Sequence, residues 1–422
     1  LLLDALRPSV VVAQNTVYFS TSAAGQTKSI AQWGADTAWP SADNMRQSIA
    51  NMGAAQIGVV RLNFYEDEPL QADGTLGPNS QARIDNQISI AEMAGNKPLA
   101  LTPDTGDGTN SYYLNGTSLN TARWVQLIHA TQQYIAQKYN LSVVAIEPFN
   151  EPDYWSGEGT AQDLNAIMTS LRGIPALQMT ALVGPSTLNS NNAQGWYNQI
   201  LGVATYGSTH VLGGSANSYA NFFQQVTASG GIPSAPELHG LGEAIYAAEY
   251  GAQQAIWWGP VLRARGLFVQ ASSGKQLGYA ENRANDTAAA VYRAPDGSIR
   301  AFAGGFERMG ASTPYRFVST SGPVYFNGIG PISQYMIQAG QGDDAFADIE
   351  TGPNPMPALD GNRWEIVNRQ TGQALQVSGG STSNGALVNS AAYTGALSQQ
   401  WNITRYKNGY YGLFNANSGL TM

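Results

Sequence analysis

The chain has 422 residues, 12% of them charged and 10% aromatic, with a net charge of −8 and a pI near 4.9. At ~150 residues per domain that is two or three domains, and a mean hydropathy of −0.22 without any apolar run of ~20 residues excludes a membrane-spanning helix. Acidity without a Lys/Arg run argues against nucleic acid, and zero cysteines with three histidines exclude thiol chemistry and a His/Cys-rich metal site, which leaves carboxylates, amides and aromatic faces as the working groups.

Residues 1–28 form an N-terminal segment. LLLDALRPSVVVAQ reads as the remnant of a secretory signal, with an ordinary strand as the alternative because Asp4 and Arg7 interrupt it. Low charge and many Asn, Thr and Gly residues favour a secreted or periplasmic protein. TVYFST (16–21) is a short strand expected to join a later β region.

Residues 29–261 alternate short apolar runs with amphipathic stretches, the pattern of βαβ units around a parallel sheet. Strands are predicted at 30–39, 57–64, 98–103, 143–150, 179–186, 207–213, 232–239 and 254–258. Helices are predicted at 41–52, 80–94, 120–139, 161–172, 193–202, 217–228 and 240–252, with Ser41 and Thr160 as N-caps. Eight strands fit an α/β fold of the (β/α)8 TIM-barrel type. A doubly wound sheet is the alternative, but no Gly-rich phosphate turn follows the first strand. Residues 262–340 alternate apolar and polar positions between turns such as APDG (294–297) and read as an accessory antiparallel β-sandwich. Residues 341–358, rich in Gly, Pro and Asp, read as a linker. In 359–422, NRWEIVNRQTGQALQV (362–377) is weakly repeated by NGYYGLFNANSGLTM (408–422), with Gln-Gln-Trp (399–401) between. A threefold unit needs about three copies to close, so a partial C-terminal module is expected.

The strongest chemical signal is VVAIEPFNEPDYW (143–155), a buried strand that ends in Asn150-Glu151-Pro152. At the C-terminal mouth of a barrel strand a carboxyl faces substrate, and the amide before it can bond a sugar hydroxyl. Cleaving a glycoside takes two carboxyls, one to protonate the leaving oxygen and one to attack or to activate water. Glu237, Glu243 and Glu249 compete for the second role. Glu249 leaves too few residues before Trp257 for a crossover helix. Glu237 ends a strand, and Glu243 falls in the next helix's first turn, where the dipole welcomes it. Glu237 is preferred and Glu243 stays open.

These motifs resemble the clan A retaining (β/α)8 glycoside hydrolases, with the layout most similar to family 30 and also to families 5 and 39. The resemblance implies Glu151 as acid/base, Asn150 on the hydroxyl beside the reacting carbon, and Arg61 as support for the nucleophile. Glu-Leu-His (237–239) departs from the clan's commoner Glu-Phe-Gly or Glu-Tyr-Gly. Gln-Gln-Trp and NRQTGQALQV resemble a ricin-type β-trefoil lectin module, of which only part is present.

Further binding candidates sit at predicted strand ends: Trp257 and Trp258 as stacking faces, His210 and His239, Asp36 and Trp39, Asp104, and Tyr154 and Trp155 directly after the acid. Glu66, Asp67 and Glu68 read as a solvated acidic loop, with a Ca2+ site as the alternative. The expected protein is a secreted retaining glycosidase acting on a β-linked polysaccharide such as xylan or galactan. It needs no cofactor and no metal, and its partner is the oligo- or polysaccharide substrate. The rival readings are a non-catalytic carbohydrate-binding protein, a transglycosylase and an adhesive surface protein.

Overall fold

The computed structural model describes residues 15–37, 41–106, 108–155, 157–352, 359, 361–368, 371–406 and 410–422. The N-terminal stretch 1–14 and Trp39 lie outside the described residues. After β1 (Thr16–Phe19), the chain forms β2 (Gln32–Asp36), β3 (Ile57–Phe64) and β4 (Leu99–Pro103). A small hairpin follows, β5 (Leu114–Asn115) and β6 (Ser118–Leu119), then β7 (Val143–Ile146), β8 (Ala181–Asn189), β9 (Tyr206–Gly213), β10 (Ile232–Leu238) and β11 (Gln254–Trp257). Strands β2, β3, β4, β7, β8, β9, β10 and β11 pair in that order, all parallel, and β11 closes on β2. This is the eight-stranded barrel.

Helices α1 (Ala42–Met52), α2 (Pro78–Ala91), α3 (Thr121–Tyr139), α4 (Ala161–Arg172), α5 (Ala193–Tyr197), α6 (Ala216–Ala228), α7 (Leu241–Glu249) and α8 (Arg263–Ser272) cover the outside. Ser41 caps α1 through the Asn44 N–H, and Thr160 with Asp163 forms a capping box on α4. With side chains inside and helices outside, a barrel strand is covered on both faces and reads as a continuous apolar run. In β3 (IGVVRLNF) every residue but Gly58 is buried, so Arg61 and Asn63 are polar groups in an apolar setting. Such groups need partners, and theirs define the site.

The second layer is a sandwich. Strands β12 (Lys275–Asn282), β13 (Thr287–Arg293), β14 (Ile299–Gly305), β15 (Thr313–Ser319), β16 (Val324–Phe326), β17 (Ile329–Ile332), β18 (Gln334–Ala339) and β19 (Asp344–Glu350) make two sheets. One is β12-β13-β14-β19-β16-β17 and the other β1-β15-β18, with β1 lying parallel to β15. Val17, Phe19, Phe317, Phe326 and Ala301 share the core between them.

Two boundaries differ from the sequence reading. Residues 266–272 (GLFVQAS), expected within the sandwich at 262–340, lie in α8 and not in a strand: Ala264, Phe268 and Ala271 are buried at helical spacing. The proposed linker 341–358 contains β19, which pairs with β14 and β16 inside the larger sheet. Its alternation is carried partly by alanines (Ala345, Ala347), which hid it among Asp and Gly. The last module holds β20 (Arg363–Trp364), β21 (Ala374–Val377), β22 (Val388–Ala391), β23 (Trp401–Arg405) and β24 (Tyr411–Asn415). Trp401 is buried and donates its indole N–H to the Leu375 carbonyl at 3.0 Å. No helix among the described residues is long and apolar enough to cross a membrane.

Candidate active site

A cleft of about 800 Å³ opens at the C-terminal ends of the barrel strands. Arg61, Asn150, Glu151, Trp155, Glu237, His239 and Trp258 line it, along with Asp104 and the sandwich residues Glu307 and Arg308.

Arg61 is the hub. Neighbouring strands place Asp36 beside it in register. Its Nη1 donates to Asp36 Oδ2 at 2.8 Å and to Glu237 Oε2 at 2.7 Å. Its Nε and Nη2 reach Glu147 Oε2 at 3.1 and 3.0 Å, and Nη2 also donates to Asn150 Oδ1 at 2.7 Å and Thr102 Oγ1 at 3.1 Å. One guanidinium therefore serves three buried carboxylates, a use that suits its planar fork of donors.

Glu237 is also bonded to His239, Oε1 to Nε2 at 3.1 Å. Burial opposes ionisation of Glu237, but His210, Arg61 and His239 outweigh it and hold the carboxyl well below its usual range. Burial raises the acidity of His210 too, yet the negative charges of Glu237, Glu147 and Glu151 prevail and push its pKa up to about 10. His210 is fully buried and its Nδ1 lies 3.0 Å from Glu151 Oε1 and 3.9 Å from Glu237 Oε2.

The strand predicted over 143–150 ends at Ile146, so Glu151 lies five residues beyond β7, in the loop that follows, with φ at +58°, in the left-handed region that costs a non-glycine residue of order ~1 kcal/mol or more. Its N–H donates to the Ser186 carbonyl at 2.9 Å, which holds that turn. Trp155 donates its indole N–H to Glu151 Oε2 at 3.2 Å. Oxygens of Glu151 and Glu237 and a ring nitrogen of His210 all lie within 4.8 Å of one another. That trio has ligand atoms for a cation, but the Arg61 guanidinium already occupies the cationic position at Glu237.

Several expected residues play other parts. Glu243 does not line the cleft. It is fully buried and accepts the His239 N–H at 2.7 Å and the Glu307 N–H at 3.1 Å, so it is a backbone anchor and no nucleophile. Glu249 ends α7 and pairs with Lys28 at 2.9 Å. Trp257 is a core residue, stacked on Trp33 at 5.9 Å, and Trp258 alone of the pair faces the cleft. Tyr154 is exposed and absent from the cleft wall, and its ring packs edge-on against Trp155. Asp36 does not line the cleft and pairs with Arg61 behind its wall. The run 66–68 is not a solvated loop: Glu66 is buried, Asp67 pairs with Arg83, and Glu68 Oε2 accepts the Ser80 N–H of α2 at 2.7 Å.

The sequence reading missed Glu147, Glu158 and the sandwich loop. Glu147 stands one residue beyond β7, four before Glu151, and Arg61 and His210 overcome its burial and lower its pKa. A charged residue within VVAIEPFN was its signal. Both oxygens of buried Glu158 accept the Asn150 N–H, at 3.1 and 2.9 Å. Burial, with Glu66 beside it, raises its pKa well above the ordinary range. Nothing in GEGT announces that role.

The family description "Ricin-type beta-trefoil lectin domain-like" matches residues 356–422. Among solved structures, the chain is similar to a glycoside hydrolase family 30 subfamily 8 xylanase from Clostridium acetobutylicum, with 14% identity, TM-score 0.49, and coverage of 80% of this chain and 100% of that one. It is similar to a family 39 glycoside hydrolase from Bacteroides cellulosilyticus (9% identity, TM-score 0.48, 77% and 82% covered). A family 5 enzyme from Prevotella bryantii follows at 14% identity and TM-score 0.38, with 59% and 90% covered. These are the three families the motifs resemble. No curated protein sequence matches the chain significantly. What the chain does is therefore a question for the chemistry of its cleft.

Proposed function

We propose that the chain is a retaining β-glycoside hydrolase that cuts a β-linked polysaccharide such as xylan or galactan outside the cell. The observation that carries this reading is the facing pair Glu151 and Glu237, whose oxygens approach within 4.8 Å across the cleft. Retaining enzymes keep their two carboxyls ~5–5.5 Å apart, whereas inverting ones leave ~6.5–9.5 Å for a water. Glu237 suits the nucleophile, since Arg61, His210 and His239 keep it ionised. In the first step one carboxylate oxygen of Glu237 bonds the anomeric carbon while Glu151 gives its proton to the departing glycosidic oxygen. In the second, Glu151 takes a proton from water and the hydroxide displaces Glu237. Asn150 commits its Oδ1 to Arg61 and so turns its amide N–H groups to the sugar. Trp258 and Trp155 offer ring faces. Low charge and the apolar N-terminal stretch support action outside the cell.

The test is hydrolysis of β-linked polysaccharides and aryl glycosides by wild type, Glu151→Ala, Glu237→Ala and Glu243→Ala, with added azide. Glu151→Ala with azide should release the β-glycosyl azide and Glu237→Ala the α-glycosyl azide, while Glu243→Ala keeps the wild-type stereochemistry. An α-configured sugar as the first product of the wild type would refute retention. Binding of oligosaccharide without turnover would favour the non-catalytic reading.

A further inference from the structure

The turn after β14 leaves the sandwich and enters the barrel's cleft. Phe306 anchors it, buried against Tyr219 at 5.7 Å and Tyr246 at 5.3 Å, and the next two residues, Glu307 and Arg308, line the cleft. Their side chains are 40% and 56% exposed and only loosely paired, at 3.9 Å. Both charges therefore remain available to a ligand.

The barrel side is built to receive this turn. A Cβ on Gly240 would stand 2.6 Å from the Gly305 carbonyl oxygen, and one on Gly242 would stand 2.7 Å from that of Gly304, so only glycine lets the two backbones meet. The Leu241 N–H donates to Asp344 Oδ1 of β19 at 2.8 Å, and Asp344 Oδ2 pairs with Arg265 of α8 at 2.6 Å. Glu243 completes the joint, one oxygen on the N–H of His239 and the other on the N–H of Glu307. His239 in turn bonds Glu237. One buried carboxyl thus ties the sandwich wall to the neighbour of the nucleophile.

We infer that the sandwich builds one end of the cleft: Glu307 and Arg308 form a subsite for a neutral sugar unit, and Glu243 is the positioning residue that sets this wall relative to Glu237. The inference rests on the glycosidase reading for its ligand class. A carboxylate that accepts and a guanidinium that donates match the mixed hydroxyls of a neutral sugar. The remaining cleft carboxylates, Asp104 among them, would repel an anionic one.

The experiment uses the full chain and β-1,4-xylohexaose and β-1,4-galactohexaose as probes. Dissociation constants come from calorimetry on proteins that also carry Glu151→Gln to block turnover, and kcat and KM from product release by proteins that keep Glu151. Losing a hydrogen bond to a charged group corresponds to about a tenfold change or more. Arg308→Ala and Glu307→Gln should each weaken the bound hexaose about tenfold, and kcat/KM should fall more for the hexaose than for a 4-nitrophenyl glycoside. Glu243→Gln should raise the hexaose KM in the same way, and Arg308→Ala added to it should cost less than it does in the wild type, because the wall is already displaced. A merely structural Glu243 would lower thermal stability and leave the two effects additive. Should Glu243→Gln fail to fold, the two exposed variants still decide the subsite.

Wild-type turnover with hexaose affinity unchanged in Arg308→Ala and Glu307→Gln overturns this inference and leaves the hydrolase standing. Wild-type binding without turnover, weakened in both variants, does the reverse. Binding of neither hexaose overturns the subsite.

Discussion

Removing Arg61 tests the electrostatic design of the cleft directly. The guanidinium sits 2.7 Å from Glu237, 2.8 Å from Asp36 and 3.0 Å from Glu147, with every partner nearly excluded from water. At 2.7 Å and an effective dielectric of ~20, two unit charges attract by about 6 kcal/mol. The net help to Glu237 is smaller, since Arg61 is itself desolvated and divides its charge among three carboxylates. An opposite charge at this range typically lowers a carboxyl pKa by about 1–3 units. Arg61→Met should therefore move the acid limb of the kcat/KM profile upward by about 1–3 pH units, because Glu237 is ionised only at higher pH. The same change strands Asp36 and Glu147 and should destabilise the fold by about 3–5 kcal/mol, as breaking a buried pair does. The assays are kcat/KM against pH on an aryl glycoside and urea denaturation. Asp36→Asn added to Arg61→Met should restore part of the stability but not the acid limb. A folded Arg61→Met protein with an unmoved acid limb would refute the account of how Glu237 is kept ionised.

Three further outcomes follow from single contacts. His210 has its pKa raised from 6.5 to about 10 in the fold, so its contribution to stability is complete below pH 6.5 and disappears as pH rises through about 10; wild type should lose urea resistance across that window more steeply than His210→Gln, and parallel curves would count against a charged His210. Glu158 is raised well above its ordinary value, so its protonated form is favoured and its stabilising effect fades as pH rises past 4.5; Glu158→Gln, which keeps an acceptor for the Asn150 N–H, should match wild type in melting temperature at pH 4 and exceed it by a few degrees at pH 8, and a lower melting temperature at pH 8 would refute a neutral carboxyl there. Trp257→Ala should cost about 3–5 kcal/mol of stability as a core truncation, whereas Trp258→Ala should leave stability within ~1 kcal/mol and lower kcat/KM; equal stability losses would contradict their separate placement.

The barrel was legible because parallel strands covered on both faces leave unbroken apolar runs. The run predicted at 57–64 is Ile57–Phe64, and the helix predicted at 161–172 is Ala161–Arg172 with its Thr160 cap. Asn150, Glu151 and Glu237 were found as polar residues closing such runs. Glu158 escaped because it works through a backbone N–H eight residues away, a contact no side-chain pattern encodes. Glu307 and Arg308 escaped because they reach the cleft only through domain docking, which depends on Gly240, Gly242 and Asp344 meeting partners distant in sequence. Glu243 falls in the first turn of α7 as expected, but its helix position did not show that the sandwich covers it and supplies one of its donors.

The charge balance of the site bears on how a single cycle runs. Glu237 and Glu147 are held as anions, while Arg61 and His210 are held as cations. These four cancel, two against two. In the proposed first step Glu237 loses its charge by forming the ester as Glu151 gains one by giving up its proton. The total stays constant while one negative charge crosses from Glu237 to Glu151. His210 Nδ1 lies between the two, 3.9 Å from the first and 3.0 Å from the second, so a fixed imidazolium faces the charge at both ends of its path. A preorganised counter-charge that need not move when the charge moves is the economical form of electrostatic catalysis. His210→Gln should accordingly slow formation and breakdown of the glycosyl-enzyme to a similar degree, each by about 10²-fold. Pre-steady-state kinetics with an activated aryl glycoside separates the two steps, and a loss confined to one of them would show that His210 serves only one carboxylate.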